Sequence, residues 1–154
     1  MYKRQKFKNK DKLFFVDKYY KPELPLNLTK YLLKFANSSI DVSDGLIDDL
    51  AKMINRQSLS FHLFENKIPV SNKLSNLIKK QRLNKINLIS NGDDYQVLFT
   101  ADIKKARIIQ KASKTTGIKI TKIGKIVSGK DRSLIFDEKG KQIRAKSKGY
   151  IHRF

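Results

Sequence analysis

Cysteine is absent from this chain of 154 residues, which excludes disulfide bonds, thiolate metal ligands and a cysteine nucleophile. Long apolar runs are missing too. Stretches such as Val97-Leu98-Phe99 fall far short of the roughly 18 residues that a membrane-spanning helix requires. No secretory leader is legible, because the basic start Met1-Tyr2-Lys3-Arg4-Gln5-Lys6-Phe7-Lys8 has no apolar segment behind it. These absences set the expectation of a cytoplasmic protein with no membrane partner. Hydrophobic residues make up 40% of the sequence, enough for a real core and against wholesale disorder. The length suits one domain.

Acid is scarce. Lys and Arg number 34 against 14 Asp and Glu, a formal net charge of +20. Such an excess attracts anions, and nucleic acid is the first partner to weigh. The distribution argues against it: lysines are scattered as singles and pairs, arginine is comparatively sparse, and no aromatic platform is interleaved with them to stack bases. A generic lysine-rich surface accounts for the charge, and a phosphate-bearing substrate would also be helped by the field.

Local pattern then orders the chain. Residues 1–12 are lysine-dense and aperiodic and read as a tail, while Leu13 to Tyr20 is apolar and aromatic enough to pack. Residues 1–19 together read as a tail and the remnant of an upstream segment, and residues 20–154 as the domain. Pro22 and Pro25 impose an extended linker. A helix follows, capped by Asn27 or Thr29, with Leu28, Leu32, Leu33 and Phe35 on its apolar side. The spacing of Leu46, Ile47, Leu50, Ala51 and Ile54 predicts a second helix starting near Ser43. Leu59 to Phe64 reads as a strand, Leu74 to Leu83 as a helix and Tyr95 to Thr100 as a buried strand. Asp102 caps a helix that runs through Ser113 and ends at Gly117. Ile118 to Ile123 alternates as a half-exposed strand should, and Ser133–Phe136 with Gln142–Arg144 reads as a hairpin. Mixed strands and helices make the class α/β or α+β, a mixed sheet flanked by helices.

Two clusters could carry chemistry. In Asp41-Val42-Ser43-Asp44-Gly45-Leu46-Ile47-Asp48-Asp49, four carboxylates crowd together in an acid-poor chain, which is unfavourable unless something positive sits there. Hard oxygen ligands so spaced suit magnesium with substrate phosphates and water. Asp44 would fall in the first helical turn, where free N–H groups and the Ser43 hydroxyl can hold a phosphate oxygen. The competing reading is a capping box, with Ser43 as N-cap and the acids answering the helix dipole. Asp49, further along the helix, is expected to matter much less than Asp44. The second cluster, Ser90-Asn91-Gly92-Asp93-Asp94, feeds two carboxylates into the apolar strand that follows. It reads either as a ligand-bearing loop or as a plain connecting turn. His62 and His152 have no ligand-type neighbours at metal spacing, and Phe7, Phe14, Phe15, Tyr19 and Tyr20 read as packing surface rather than a base-stacking platform.

Ala36-Asn37-Ser38-Ser39-Ile40-Asp41-Val42-Ser43-Asp44-Gly45-Leu46 with the later Asp49-Leu50 closely resembles the motif that opens the C-terminal domain of thiamine-monophosphate kinases, Ala-x-x-x-(Ile/Met)-Asp-(hydrophobic)-Ser-Asp-Gly-Leu with Asp-Leu beyond. Gly92-Asp93-Asp94-Tyr95-Gln96-Val97-Leu98-Phe99-Thr100 is similar to that family's Gly-Glu-Asp-Tyr-Glu-Leu-Leu-Phe-Thr. Tyr20-Lys21-Pro22-Glu23-Leu24-Pro25, Ile123-Gly124 and the tail Gly149-Tyr150-Ile151-His152 with Phe154 resemble further landmarks in the same order. The sequence departs from the pattern at Asn91 (usually Gly), Asp93 (Glu), Gln96 (Glu) and the extra Arg153.

The resemblance implies a PurM-like C-terminal domain and transfer of the ATP γ-phosphate to thiamine monophosphate, giving thiamine diphosphate. It implies Asp41 and Asp44 as magnesium ligands, Ser43 as an ATP contact, and Asp93 and Tyr150 as substrate contacts. Mg2+ and ATP would be the cofactor and co-substrate. Members of that family carry an additional N-terminal domain that also forms the dimer. The expectation is therefore a fragment, a separately encoded half or a relic, inactive without an N-terminal domain or partner. Another PurM-type ATP-dependent synthetase and a non-catalytic basic binding module stand as alternatives.

Overall fold

The computed structural model describes residues 9–55 and 57–145. Helix α1 spans Asn9–Tyr20, so residues 9–12, expected in the tail, form its first turn. The Phe14 ring lies under the Lys73 ammonium at 4.2 Å, a cation–π contact, yet Leu13, Tyr19 and Tyr20 remain exposed. After the Pro22–Pro25 linker, a short 3-10 turn (Leu26–Leu28) runs into α2 (Thr29–Phe35). Neither expected cap acts there. The residue before α2 is Leu28, without a side-chain cap bond, and the Thr29 hydroxyl donates backwards to the Leu26 carbonyl at 2.8 Å. Leu28 and Phe35 are buried as expected, whereas Leu33 is 91% exposed.

The strands form two sheets. β1 (Ala36–Asp41) pairs antiparallel with β3 (Val97–Ala101) as a two-stranded ribbon, with Asp41 opposite Val97. Strand β1 was not expected from its polar sequence; the Ser38 and Thr100 hydroxyls, 2.7 Å apart, join the two strands. The second sheet has the order β4-β2-β5-β6, built from β2 (Leu59–Phe64), β4 (Gly124–Ser128), β5 (Leu134–Phe136) and β6 (Gln142–Ile143). It is mixed: β2 is antiparallel to β4 and parallel to β5, and β5 and β6 make the anticipated hairpin. Its turn is closed by the Asp137 carboxylate, which accepts from the backbone N–H groups of Lys139 and Lys141. Ile118 to Ile123 belongs to no ladder, so the strand expected there begins only at Gly124.

The remaining helices are α3 (Leu46–Ile54), α4 (Asn72–Gln81), α5 (Lys85–Ile89) and α6 (Ala106–Thr116). Asp102 does cap the 3-10 turn that leads into α6, and Gly117 ends that helix in the left-handed conformation. The main core joins Leu46, Ile47, Leu50 and Ile54 of α3 to Phe61 and Leu63 of β2, Ile86 and Ile89 of α5, and Ile135 of β5. A smaller core joins Leu28 and Phe35 to Ala112 of α6. The unladdered Ile118–Ile123 segment bridges the two: Ile118 and Ile120 pack on the smaller core and Ile123 on the main one. The architecture is a mixed β-sheet flanked by helices. Among the described residues no helix is long and apolar enough to cross a membrane.

Burial assigns unequal weight to leucines that the sequence treats alike. Leu50→Ala, in the main core, is expected to cost about 2–5 kcal/mol, while Leu33→Ala on solvent should stay within about 0.5 kcal/mol. Urea unfolding of both variants checks this.

Candidate functional site

Helix α3 begins at Leu46, three residues later than the sequence suggests, and that displacement creates the site. Gly45 stands before the helix at φ +123°, a backbone region that glycine alone enters cheaply. Ser43 and Asp44 therefore lie in a loop and not in a first helical turn. Ser43 caps nothing with its hydroxyl, which removes the capping-box reading.

The loop is held from inside. The backbone N–H groups of Ser43, Asp44 and Gly45 all donate to Asp49 Oδ2, at 2.9, 3.0 and 3.1 Å. Asp49 is 1% exposed, so it is not the bystander the sequence suggests but the buried acceptor of the whole turn. Donors at the loop side of a helix start face a carboxylate there, which is the favourable sign for that end of the helix. The signal for this was present: Asp49 follows Leu46 by three and precedes Met53 by four, on the flank of the apolar face.

Three carboxylates converge at this point. One oxygen each of Asp44, Asp48 and Asp49 lies within 4.8 Å of the others. Lys52, one turn on, reaches back among them: its ammonium bonds Asp44 and lies 2.8 Å from Asp48 and 3.4 Å from Asp49. The bond to Asp44, and then that to Asp48, raise the Lys52 ammonium above the ordinary lysine range. Asp48 was counted in the sequence among the four crowded carboxylates without a role of its own, and Lys52 was not singled out. Asp41 is not in this group; it ends β1, exposed, opposite Val97.

The second cluster is locked onto the first. The N–H of Asp93 donates to the Ser43 carbonyl at 2.9 Å and that of Tyr95 to the Val42 carbonyl at 2.8 Å, while Val42 N–H donates to the Gln96 carbonyl. A Cβ on Gly92 would sit 1.9 Å from the Ser43 carbonyl oxygen, and one on Gly45 would sit 2.4 Å from that of Ser90. Each loop thus needs a glycine where the other's backbone passes. Asp93 and Tyr95 are held at φ 68° and 51°, a conformation that costs roughly 1–2 kcal/mol for a residue with a Cβ. Asp93 faces out, and its charge, with burial and its bond to the Tyr95 hydroxyl adding, pushes the Tyr95 phenol up; Tyr19 and Asp41 contribute further. Asp93 and Tyr95 thus stand together on the exposed rim of this loop. The Asp94 carboxyl is pushed up by burial among its surroundings and then by the charge of Asp93, although the residue as a whole is open to solvent. Tyr150 lies outside the described residues.

This fold, a mixed sheet with flanking helices and a carboxylate loop at the end of a strand, is the PurM-like α/β fold. The chain is homologous, over part of their length, to thiamine-monophosphate kinases. It is 35% identical over 122 residues to the thiamine-monophosphate kinase of Buchnera aphidicola (subsp. Acyrthosiphon pisum), covering 79% of this chain and 37% of that protein. It is 33% identical over 89 residues to that of Aquifex aeolicus, covering 57% of this chain and 29% of that protein. The crystal structure of the Aquifex aeolicus kinase matches with a TM-score of 0.63 at 25% identity, over 90% of this chain and 44% of that one. AaThiL complexed with AMPPCP and TMP matches at 0.70 and 26%, over 96% and 44%. The chain therefore spans less than half the length of the relatives it matches. No protein-family model matches it.

If the two loops need each other's glycines, adding one methyl group should separate contact from conformation. Gly92→Ala is expected to cost about 1–3 kcal/mol or more through its clash with Ser43 and to shift the amide resonances of Ser43 and Asp44. Gly117→Ala, at φ +69° with open space around it, should cost about 1–2 kcal/mol and leave those resonances in place.

Proposed function

We propose that this chain supplies the magnesium–ATP edge and part of the substrate rim of an ATP-dependent kinase that converts thiamine monophosphate to thiamine diphosphate. The observation that carries the reading is the interlock of the Ser43–Gly45 loop with the Gly92–Tyr95 loop. It brings to one edge the two stretches that resemble the kinases, and with them Ser43, Asp44 and Asp93. The match to AaThiL complexed with AMPPCP and TMP supports the substrate pair.

Asp44 and Asp48, the two converging carboxylates that are partly open to solvent, are hard oxygen donors of the kind and number that magnesium takes alongside phosphates and water. Asp44 is the residue common to the motif and to the converging carboxylates, and it would hold the ion; Asp41, outside that group at the strand end, enters as a ligand on the resemblance alone. Asp49 is already committed to backbone N–H groups. When bound, magnesium supplies charge neutralisation for the phosphate oxygens. The protein's share is placement. Ser43 offers its hydroxyl to an ATP phosphate and Asp93 accepts a hydrogen bond from the substrate; for Tyr150, outside the described residues, the thiamine contact rests on the resemblance alone. In the transfer, a phosphate oxygen of thiamine monophosphate forms its bond to the γ-phosphorus as the bond to ADP breaks. Such a reaction needs alignment and electrostatics more than covalent help. The part of the relatives that this chain does not span, in an N-terminal domain or a homodimer partner, completes the site in this reading.

Two measurements test it. The purified chain alone should show no phosphorylation of thiamine monophosphate above background; turnover by the chain alone would overturn the shared-site reading. Asp44→Asn should weaken Mg2+ binding, followed by calorimetry, by about tenfold or more. The same change should alter folding stability by no more than about 1 kcal/mol, because its pairing with Lys52 is partly exposed. Unchanged Mg2+ affinity would remove Asp44 as a ligand.

A further inference from the structure

We infer that Asp49 is the positioning residue of this site, setting the geometry of both loops through the backbone without itself touching metal or substrate; the metal half of this inference rests on the reading above. A carboxylate oxygen has two lone-pair directions, and Asp49 Oδ2 already receives three N–H donors, from Ser43, Asp44 and Gly45. The other oxygen faces Lys52 at 3.4 Å. Little acceptor capacity is left for an ion, and the side chain is buried. What the carboxylate does is fix three consecutive peptide planes. Two of those residues face the chemistry: Ser43, whose hydroxyl is the candidate phosphate contact, and Asp44, the candidate ligand.

The effect extends to the second loop. With its N–H pinned on Asp49, Ser43 presents its carbonyl to Asp93 N–H, and the adjoining Val42 carbonyl takes Tyr95 N–H. These bonds, together with the Gly45 and Gly92 contacts, keep Asp93 and Tyr95 in their left-handed conformations. One buried carboxylate therefore ties the loop that carries Asp44 to the loop that carries Asp93. A helix-flank acid that merely stabilised α3 would have no such reach.

The test compares the full chain with Asp49→Asn, which keeps the shape and removes the charge, and with Leu50→Val, a neighbouring core change of general stability. Amide hydrogen exchange is read at Ser43, Asp44, Gly45, Asp93 and Tyr95, with Phe64 and Gly129 as reference amides bonded elsewhere. Asp49→Asn is expected to speed exchange at the five site amides by about tenfold or more while the references follow only global stability; Leu50→Val should move all seven alike. Mg2+ affinity should fall in Asp49→Asn by about 10- to 100-fold, as when a supporting group of a metal site is lost, and stay unchanged in Leu50→Val. Uniform exchange in Asp49→Asn overturns the positioning role whatever the metal does. Site-specific exchange with unchanged Mg2+ affinity overturns its link to the metal while the loop coupling stands. No Mg2+ binding in the wild-type chain sinks the metal reading and that link together, and exchange still decides the coupling. Should Asp49→Asn fail to fold, native-state exchange of the wild type in mild urea answers instead. The five amides are expected to open as one unit, and separate opening of Asp93 and Tyr95 from Ser43–Gly45 would overturn the coupling.

Discussion

A single buried carboxylate accepting three adjacent backbone N–H groups is the constraint on which the rest of this site depends. Burying a charge is costly unless it is fully bonded, and Asp49 meets that condition with donors that cannot be supplied by a side chain elsewhere. The donors are orphan groups of a turn that precedes a helix, and they would otherwise need water. Bonding them internally allows α3 to start late and frees Ser43 and Asp44 from helical geometry. The main core beneath, from Leu46 to Ile54 against β2 and α5, gives that turn a fixed base.

The electrostatic arrangement reads differently at two scales. Globally the chain is strongly cationic, a field that favours approach of phosphate-bearing molecules. Locally three of its acids, Asp44, Asp48 and Asp49, converge, with Lys52 inside their reach. The tethered ammonium answers the mutual repulsion of the carboxylates within α3 and its preceding loop. Asp93 and Tyr95 on the facing loop add a second, more open polar edge.

Much of this was legible in the sequence because it depends on local chemistry. The periodicity of α3, the alternating β2, the Asp102 cap, the Gly117 stop and the hairpin at Glu138–Gly140 are all read from neighbours a few residues apart. Several of the failures have a common physical cause: a partner distant in sequence. β1 is polar and becomes a strand only because β3 pairs with it. Ile118–Ile123 has a strand's alternation and finds no ladder, since its apolar side chains span two cores instead. Leu33 fits the apolar side of α2 by type, yet nothing in the described fold covers it. At the site, residue types pointed to Asp44 and Ser43, but the turn that presents them is set by Gly45 meeting Ser90 and Gly92 meeting Ser43. Those contacts leave no periodic trace. Asp49 was undervalued for a different reason: its partners are near in sequence, but they are backbone groups and carry no residue signature.

The central place of β2 has a consequence for how the chain assembles. Leu59–Phe64 is flanked by β4 on one side and β5 on the other, and both lie in the last third of the sequence. During synthesis β2 is made before both neighbours and has to wait for them. Until Gly124–Ser128 and Leu134–Phe136 emerge, it presents two unpaired edges and the apolar side chains Phe61 and Leu63. Closing such distant pairings is entropically slow, and an open apolar strand is the kind of segment that recruits another chain. The ribosome-bound chain thus passes through an interval in which its most buried strand is its most adhesive one, and the C-terminal hairpin is the piece that ends it.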